Sequence, residues 1–596
     1  MSTSRRGGPS LSCTAQIQNI LDEDLKTNVS YFPSEILVPE LEANETKLKV
    51  CAIDDYYGIV GINQKDFPTK LQSRVEKPPF LFHLIPPERE ETSMQVRGRR
   101  SAQLKRDRPT RRLSTVSMEN SKLHVAILSS PGMGHLIPVL NLGNRLLSHH
   151  NVDITILLPA TNSSPAESKV LKPLTDRNQL NIIEIPPVDI SSLVNPKTTI
   201  VTQLCIMMRA VLPGLRSTIA AMNPRPDVLI VDLFGTEALP VADEFDMPKY
   251  VYIASTAWFT ALTTYCPVLD EKIEGQYVDQ RTPLKIPGCK PVRPEDVVDP
   301  MLDRNDEQYR EYLRLGIEFR LSDGILLNTW EDLEPISLKA LRENGILRAV
   351  VKVPVYDIGP LRRPAEPAGS KSRLIEWLDV QPSESVIYIS FGSGGTLSAQ
   401  QINELAWGLE MSQQRFVWVV RPPTEGGADG SFFTVGNGSD GTLDYLPDGF
   451  LTRTHSVGLL IPQWGPQVEI LSHQSIGGFL SHCGWNSTLE SIASGIPMIA
   501  WPLYAEQRLN ATMLTEELGV AVRPEVLPTK KVVGREEIEK MVRTLMQYTE
   551  GKAMRDRVKE LKHSAEKALS NEGSSYKSMA VVLEDCQRRV QSHKKE

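Results

Sequence analysis

The sequence lacks an apolar run of the ~18–20 residues that a membrane-spanning helix needs, and its first residues have no apolar centre of the kind a secretory signal carries. Stable membrane insertion is therefore not expected, and the cytoplasm is the expected location. Cysteine is scarce: there are seven in 596 residues, Cys13, Cys51, Cys205, Cys266, Cys289, Cys483 and Cys586, with no C-x-x-C spacing. An odd, unpaired set argues against a disulfide framework and suits a reducing compartment with free thiols. Positive charge is not in excess either. The formal net charge of −7 argues against a dedicated nucleic-acid binder. Repeats of about 20–50 residues, the mark of solenoids and propellers, are absent.

What is present is the composition of an ordinary globular protein, 40% apolar and 23% charged, at a length that implies two or more domains. Residues 1–117 read differently from the rest. They end in a block that holds eight Lys or Arg against one Asp between Arg97 and Arg112, the composition of a disordered extension. Met118 is the expected start of the functional part. From Leu123 a β/α alternation sets in. LHVAILSS reads as a buried strand, PGMGH as a turn and LIPVLNLGNRLLSHH as a helix. VDITILLP, DVLIVDLF, KYVYIAS and GILLNTW are further strands with helical stretches between them. This predicts a parallel sheet with helices on both faces, spanning a first domain at 118–354. Residues 355–373, rich in Pro, Gly and Arg, read as an interdomain linker. A second β/α series covers 374–575, with strands VIYISFGS, FVWVV, VGLLIPQW and GVAVRP and a long polar Gly-rich loop after Arg421.

Two Gly-rich turns need weighing. PGMGH offers half of the dinucleotide fingerprint G-x-G-x-x-G, but the third Gly is missing, His135 follows directly, and no acidic residue closes the second strand at ILLP. FGSGGT, around Ser393, lacks the Lys of a P-loop. The most informative stretch runs from Trp464 to Gln507, WGPQVEILSHQSIGGFLSHCGWNSTLESIASGIPMIAWPLYAEQ. Its centre reads as strand, turn and helix, with His482, Asn486 and Ser487 at the helix entrance and Glu490 one turn on. A helix N-terminus presents unpaired N–H groups and the positive end of a dipole, which suits phosphate. Ser487 and Glu490 also have the spacing of a capping box, a purely structural use compatible with ligand binding. The next strand ends in a polar tip with Glu506 and Gln507. Open α/β sheets bind ligands beyond the carboxyl ends of their strands, so a phosphate site and a carboxylate–amide pair are expected to share one crevice. Cys483 fits better as a small residue in a tight turn than as a nucleophile, because no base is required beside it.

The stretch closely resembles the signature box of plant family 1 UDP-glycosyltransferases: the W-x-P-Q start, the HCGWNS-x-x-E centre, the final acidic-Gln pair and the overall length all match. The resemblance extends upstream to about residue 118 and is strongest to the phenolic-glucosylating group that includes hydroquinone glucosyltransferase. It implies a GT-B fold, two Rossmann-like β/α/β domains facing across a cleft, with a final helix at 576–596 returning to the first domain. It implies inverting transfer of glucose from UDP-glucose, as co-substrate, to a hydroxyl of a small phenolic acceptor. His135 and Asp232 match the family's catalytic base and its partner. Trp464 and Gln467 match the uracil contacts and Glu490 the ribose contact. His482, Asn486, Ser487 and Ser393 match the diphosphate site; Trp485, Glu506 and Gln507 match the sugar site, where Gln favours glucose. Thr256 is a further candidate contact to sugar or phosphate. Trp258, Phe259, Tyr265 and the helix around Cys205 to Met208 are candidates for the acceptor wall. The D-x-D pattern Asp22-Glu23-Asp24 falls in the extension, so metal independence is expected. A monomer is expected, and the alternative is a UDP-sugar-binding sensor or scaffold without turnover.

Overall fold

Short apolar runs pair into two parallel sheets. In chain order the first set is β1 (His124–Leu128), β2 (Asp153–Pro159), β3 (Asn181–Ile185), β4 (Val228–Asp232), β5 (Lys249–Ile253), β6 (Gly324–Leu327) and β7 (Val355–Asp357). The second is β8 (Val386–Ser390), β9 (Arg415–Val420), β10 (Gly458–Pro462), β11 (Ile476–Ser481), β12 (Met498–Ala500) and β13 (Ala521–Val522). The first sheet is ordered β3-β2-β1-β4-β5-β6-β7 and the second β10-β9-β8-β11-β12-β13. This computed structural model describes residues 122–160, 171, 180–363, 372–424 and 444–593. The extension at 1–117, Met118, the Asp22–Asp24 motif and most of the Gly-rich loop after Arg421 lie outside the described residues.

Successive residues of a strand face opposite sides of its sheet, and the core follows that rule. Val125, Ile127, Ile154, Ile156, Tyr250 and Tyr252 pack on one face, with the C-terminal residues Met579, Val582 and Cys586. Ala126, Leu128, Leu229, Val231, Val251 and Ile253 pack on the other, with residues of the helices Ile200–Ala210 and Ala257–Lys272. The last helix, Ser574–His593, is tied to the first sheet by Tyr250 Oη donating to Asp585 (3.0 Å) and by the Arg589–Asp323 pair (2.8 Å).

Two details depart from expectation. Strand β3 was not apparent in the sequence; it is an edge strand, NIIEI, with only Ile185 fully buried, so its apolar pattern is weak. The stretch read as a linker from Val355 opens with β7, which extends the first sheet beside β6, and Ile358 and Leu361 beyond it are buried in the same core. Its Pro and Gly content masked a short buried strand. Residues 364–371 of that stretch lie outside the described residues.

Both sheets reverse their strand order at one point, between β1 and β4 and between β8 and β11. The gap left outside the carboxyl ends at such a reversal is where open α/β sheets receive ligands. At β11 the pairing with β8 is bulged between Ile476 and Gly478, and a Cβ on Gly477 would lie 2.2 Å from the carbonyl oxygen of Glu384. Gly477→Ala must therefore push β11 off β8. We expect a loss of ~1–3 kcal/mol, the ordinary cost of overpacking, read as a lower urea midpoint; an unchanged midpoint would show that this close approach is not needed.

Candidate active site

The first domain contributes a histidine and an aspartate. Gly132, at φ 99° where a side chain is poorly tolerated, turns the chain out of β1 into the helix Met133–His150. His135 thus lies in the first turn of that helix rather than at the end of the preceding turn. Its Nδ1 is 3.0 Å from Oδ2 of Asp232, the last residue of β4. A carboxylate only accepts, so a hydrogen sits on Nδ1, and it is Nε2 that carries the lone pair in the neutral ring. Asp232 is buried and doubly held: Oδ2 also accepts from the Ser130 N–H (3.1 Å), and Oδ1 accepts from the Ser130 hydroxyl. The imidazole is half-buried, with Phe234 edge-on to it at 5.1 Å.

The second domain contributes the helix Trp485–Ser494. Its N-cap is Gly484, which has no side chain to satisfy the first turn. The capping-box reading of Ser487 and Glu490 is therefore corrected: Ser487 is inside the helix, and its hydroxyl accepts from Gln467 Nε2 (2.9 Å), which also donates to Glu490 (2.7 Å). The first N–H groups of the helix remain available to an anion. His482 is packed so tightly between two turns that a Cβ on either Gly392 or Gly484 would come within 2.4 Å of its ring. Burial, and secondarily the charge of Arg421, push its pKa down to about 3, so it is neutral at physiological pH. Its Nδ1 has no partner among the described residues.

Arg421, missed in the sequence, directly follows β9 at the same edge. Its guanidinium donates to the backbone carbonyls of Gly392, Gly395 (3.0 Å) and Gln463 (3.2 Å), which ties the turn bearing Ser393 to the loop before Trp464. No carboxylate pairs with it among the described residues. An arginine closing an otherwise apolar strand, FVWVVR, was the available signal. Arg363, 3.8 Å from Glu490, was likewise hidden in a stretch read as linker. Burial pushes the carboxyls of Glu490 and Glu506 upward.

These groups meet. His135, Asp232, Ser393, Trp464, Gln467, His482, Trp485, Asn486, Ser487, Glu490, Glu506 and Gln507 all line one cavity of about 210 Å³. Trp464 is 37% exposed at its edge. Trp485 is instead nearly enclosed, its indole N–H donating to the Asn328 carbonyl (2.8 Å) of the first domain. Asn486 Nδ2 donates to the Gly134 carbonyl (3.2 Å). Gln507 turns its Oε1 back onto the N–H groups of Leu503 (2.9 Å) and Tyr504 (3.1 Å), leaving its NH₂ to face outward. Thr256 does not line the cavity. It is fully buried and caps the helix Ala257–Lys272 by accepting from the Phe259 N–H (2.9 Å). Of the proposed acceptor-wall residues Phe259 reaches the cavity, whereas Trp258, Tyr265, Cys205 and Met208 belong to the core. Cys483 is buried, its thiol pushed up to about 12 by burial, and it is absent from the cavity wall. Chemically, the arrangement offers an imidazole–carboxylate pair on one wall and the free N–H groups of a helix terminus on the other.

Comparison with known proteins agrees with this geometry. A family model described as UDP-glucoronosyl and UDP-glucosyl transferase matches residues 351–555. The chain is 57% identical over 477 residues to anthocyanidin 3-O-glucosyltransferase 5 of Manihot esculenta, covering 80% of this chain and 98% of that protein. It is 44% identical over 476 residues to hydroquinone glucosyltransferase of Rauvolfia serpentina, covering 79% and 99%. Among solved structures, TcCGT1 in complex with UDP aligns with a TM-score of 0.74 at 49% identity, over 79% of this chain and 100% of that one. Phytolacca americana UGT2, complexed with UDP-2fluoro-glucose and pterostilbene, aligns with a TM-score of 0.69 at 38% identity, over 78% and 100%.

The buried His482 predicts a pH effect on stability. Its folded pKa of about 3 lies below the unfolded value of 6.5, so the unfolded chain binds the extra proton as pH falls. The contribution is complete above about pH 6.5 and is lost progressively toward about pH 3. Unfolding free energy of the wild type should fall faster than that of His482→Gln between pH 6 and 4, by at most ~1.4 kcal/mol per unit. Parallel curves would show that His482 is protonated in the folded protein.

Proposed function

The chain belongs to the plant family 1 UDP-glycosyltransferases and has their two-domain GT-B fold, and from that premise we propose that it transfers glucose from UDP-glucose, with inversion, to a hydroxyl of a small phenol. The observation that carries the reading is the His135–Asp232 pair on the wall of the cavity that also contains the signature helix terminus and Glu506. A phenol fits because two relatives are glucosyltransferases named for phenolic compounds, an anthocyanidin and hydroquinone, and a structural neighbour holds pterostilbene. In that neighbour the donor analogue is UDP-2fluoro-glucose.

In the proposed reaction the acceptor hydroxyl gives its proton to Nε2 of His135. Its oxygen attacks C1 of the sugar from the face opposite the diphosphate. The C1–O bond breaks, and its electron pair stays on the β-phosphate oxygen of departing UDP. Asp232 holds the imidazole through Nδ1 and stabilises the imidazolium that forms. The N–H groups that begin the helix Trp485–Ser494, with Ser393, Asn486 and Ser487, take up the developing charge, and Arg421 adds a half-buried positive charge to the same wall. His482, being neutral, serves as a hydrogen-bonding group. Trp464 stacks on uracil, and Gln467 and Glu490 hold the nucleoside. Glu506 and the outward NH₂ of Gln507 bind sugar hydroxyls, with Trp485 closing the floor beside them.

The test is release of UDP with hydroquinone as acceptor. His135→Ala should lower kcat by ~10²–10⁴-fold, the range for a lost general base, while UDP binding changes less than about twofold. A full rate in that variant would remove the mechanism and would leave a UDP-sugar-binding protein as the better reading. Gln507→His should shift donor use from UDP-glucose toward UDP-galactose; an unchanged ratio would undo the sugar assignment.

A further inference from the structure

The tip that carries Glu506 and Gln507 is gripped by the opposite domain. Two short helical turns of the first domain, Pro294–Asp296 and Asp299–Leu302, reach across to it. Asp296 is fully buried and accepts from Arg523 (2.8 and 3.1 Å), from the Thr512 hydroxyl (2.9 Å) and from Arg293 of its own segment (2.7 Å). Asp299 engages the tip itself. Its Oδ2 accepts from the Ala505 N–H (2.6 Å), and its own N–H donates to the Ala505 carbonyl (3.0 Å). Its Oδ1 takes the Arg508 guanidinium, whose Nε also donates to the Val297 carbonyl (3.2 Å).

Ala505 is the residue on which this grip matters. It has φ 55°, the left-handed region that L-residues avoid, and it immediately precedes Glu506. Both of its backbone polar groups are bonded to Asp299 and so to the other domain. The loop is closed on its inner side by Gln507, whose carbonyl holds Leu503 and Tyr504, and on its outer side by Asp299. Without the Asp299 carboxylate the Ala505 N–H loses its partner, which removes a restraint on the left-handed φ that directs Glu506 and Gln507. The groups read as nucleotide-facing sit elsewhere, Trp464 in the loop after β10, Gln467 at the start of the helix Gln467–Leu471 and Glu490 in the helix Trp485–Ser494, and none of them is bonded to Asp299 or Ala505.

We propose that Asp299 is a positioning residue for sugar recognition: it holds Ala505 left-handed from the facing domain and thereby sets the direction of Glu506 and Gln507. This rests on the reading of those two residues as the sugar-binding pair. A consequence is that the donor sugar is read correctly only when the two domains are docked, whereas the UDP moiety is held by the second domain alone.

The test separates sugar from nucleotide. In Asp299→Ala, KM for UDP-glucose should rise about tenfold or more and the preference for UDP-glucose over UDP-galactose should fall severalfold, while the dissociation constant for UDP stays within about twofold. Asp299→Asn, whose Oδ1 can still accept from the Ala505 N–H, should recover most of both constants even though the ion pair to Arg508 is lost. Should the alanine variant not fold, Asp299→Ser is read by the same constants. Parallel weakening of UDP and UDP-glucose, unchanged KM and preference, or an asparagine variant no better than alanine would each overturn the proposal. Glu506→Gln assayed alongside tells the two readings apart. A wild-type KM there means the sugar assignment fails and the proposal with it; a raised KM there with none in Asp299→Ala means only the clamp fails.

Discussion

Two of the hydrogen bonds that dock the halves of this molecule are made by residues of the cavity wall. The Trp485 indole N–H donates to the Asn328 carbonyl, and Asn486 Nδ2 donates to the Gly134 carbonyl. They join the start of the signature helix to the carboxyl edge of the first sheet, and Gly134 is the residue just before His135. Asn328 also grips Leu361 through both its backbone groups (2.7 and 3.0 Å), so the chain leaving the first domain is fixed by the same residue. Each such bond has a modest net value, ~1 kcal/mol, but losing the Trp485 bond would strand a buried indole N–H at greater cost. The spacing between a candidate base and a candidate phosphate site therefore follows from docking, not from either domain alone.

The electrostatics of the cleft follow from burial. Desolvation raises the carboxyls of Glu490 and Glu506 and holds His482 neutral. Arg421 sets its guanidinium against three carbonyls, with no carboxylate bonded to it among the described residues. A wall of this kind, with a helix terminus and a half-buried guanidinium, presents positive charge to the cavity before any ligand arrives. Glu334 shows the contrasting structural use of a carboxyl. It is fully enclosed, pushed up to about 7 by burial, and spends its oxygens on Thr329 and on the first N–H groups of the helix that carries Phe259.

Much of this was readable from residues alone because the chemistry sits where strands end. His135 and Asp232 follow apolar runs that could only be buried strands, and the Trp464–Gln507 stretch announces its helix start by a polar turn and its end by Gly495. What could not be read depended on contacts distant in sequence. β3 is an edge strand with little apolar signal, and β7 hides in a Pro- and Gly-rich segment. Thr256, Trp258 and Tyr265 are placed by packing against helices that periodicity does not locate, so their side chains turn into the core. Ser487 looked like a helix cap until Gly484 proved to occupy that position. Arg421 and Asp299 act through backbone groups of remote loops, which no local motif encodes.

The central claim is geometric: a base on one domain and a departing diphosphate on the other lie on opposite faces of the sugar. The anomeric configuration of the product, read by proton NMR of the glucoside formed from α-linked UDP-glucose and hydroquinone, tests it most directly. The account predicts the β-glucoside. An α-glucoside would mean that attack and departure share one face, and would contradict it.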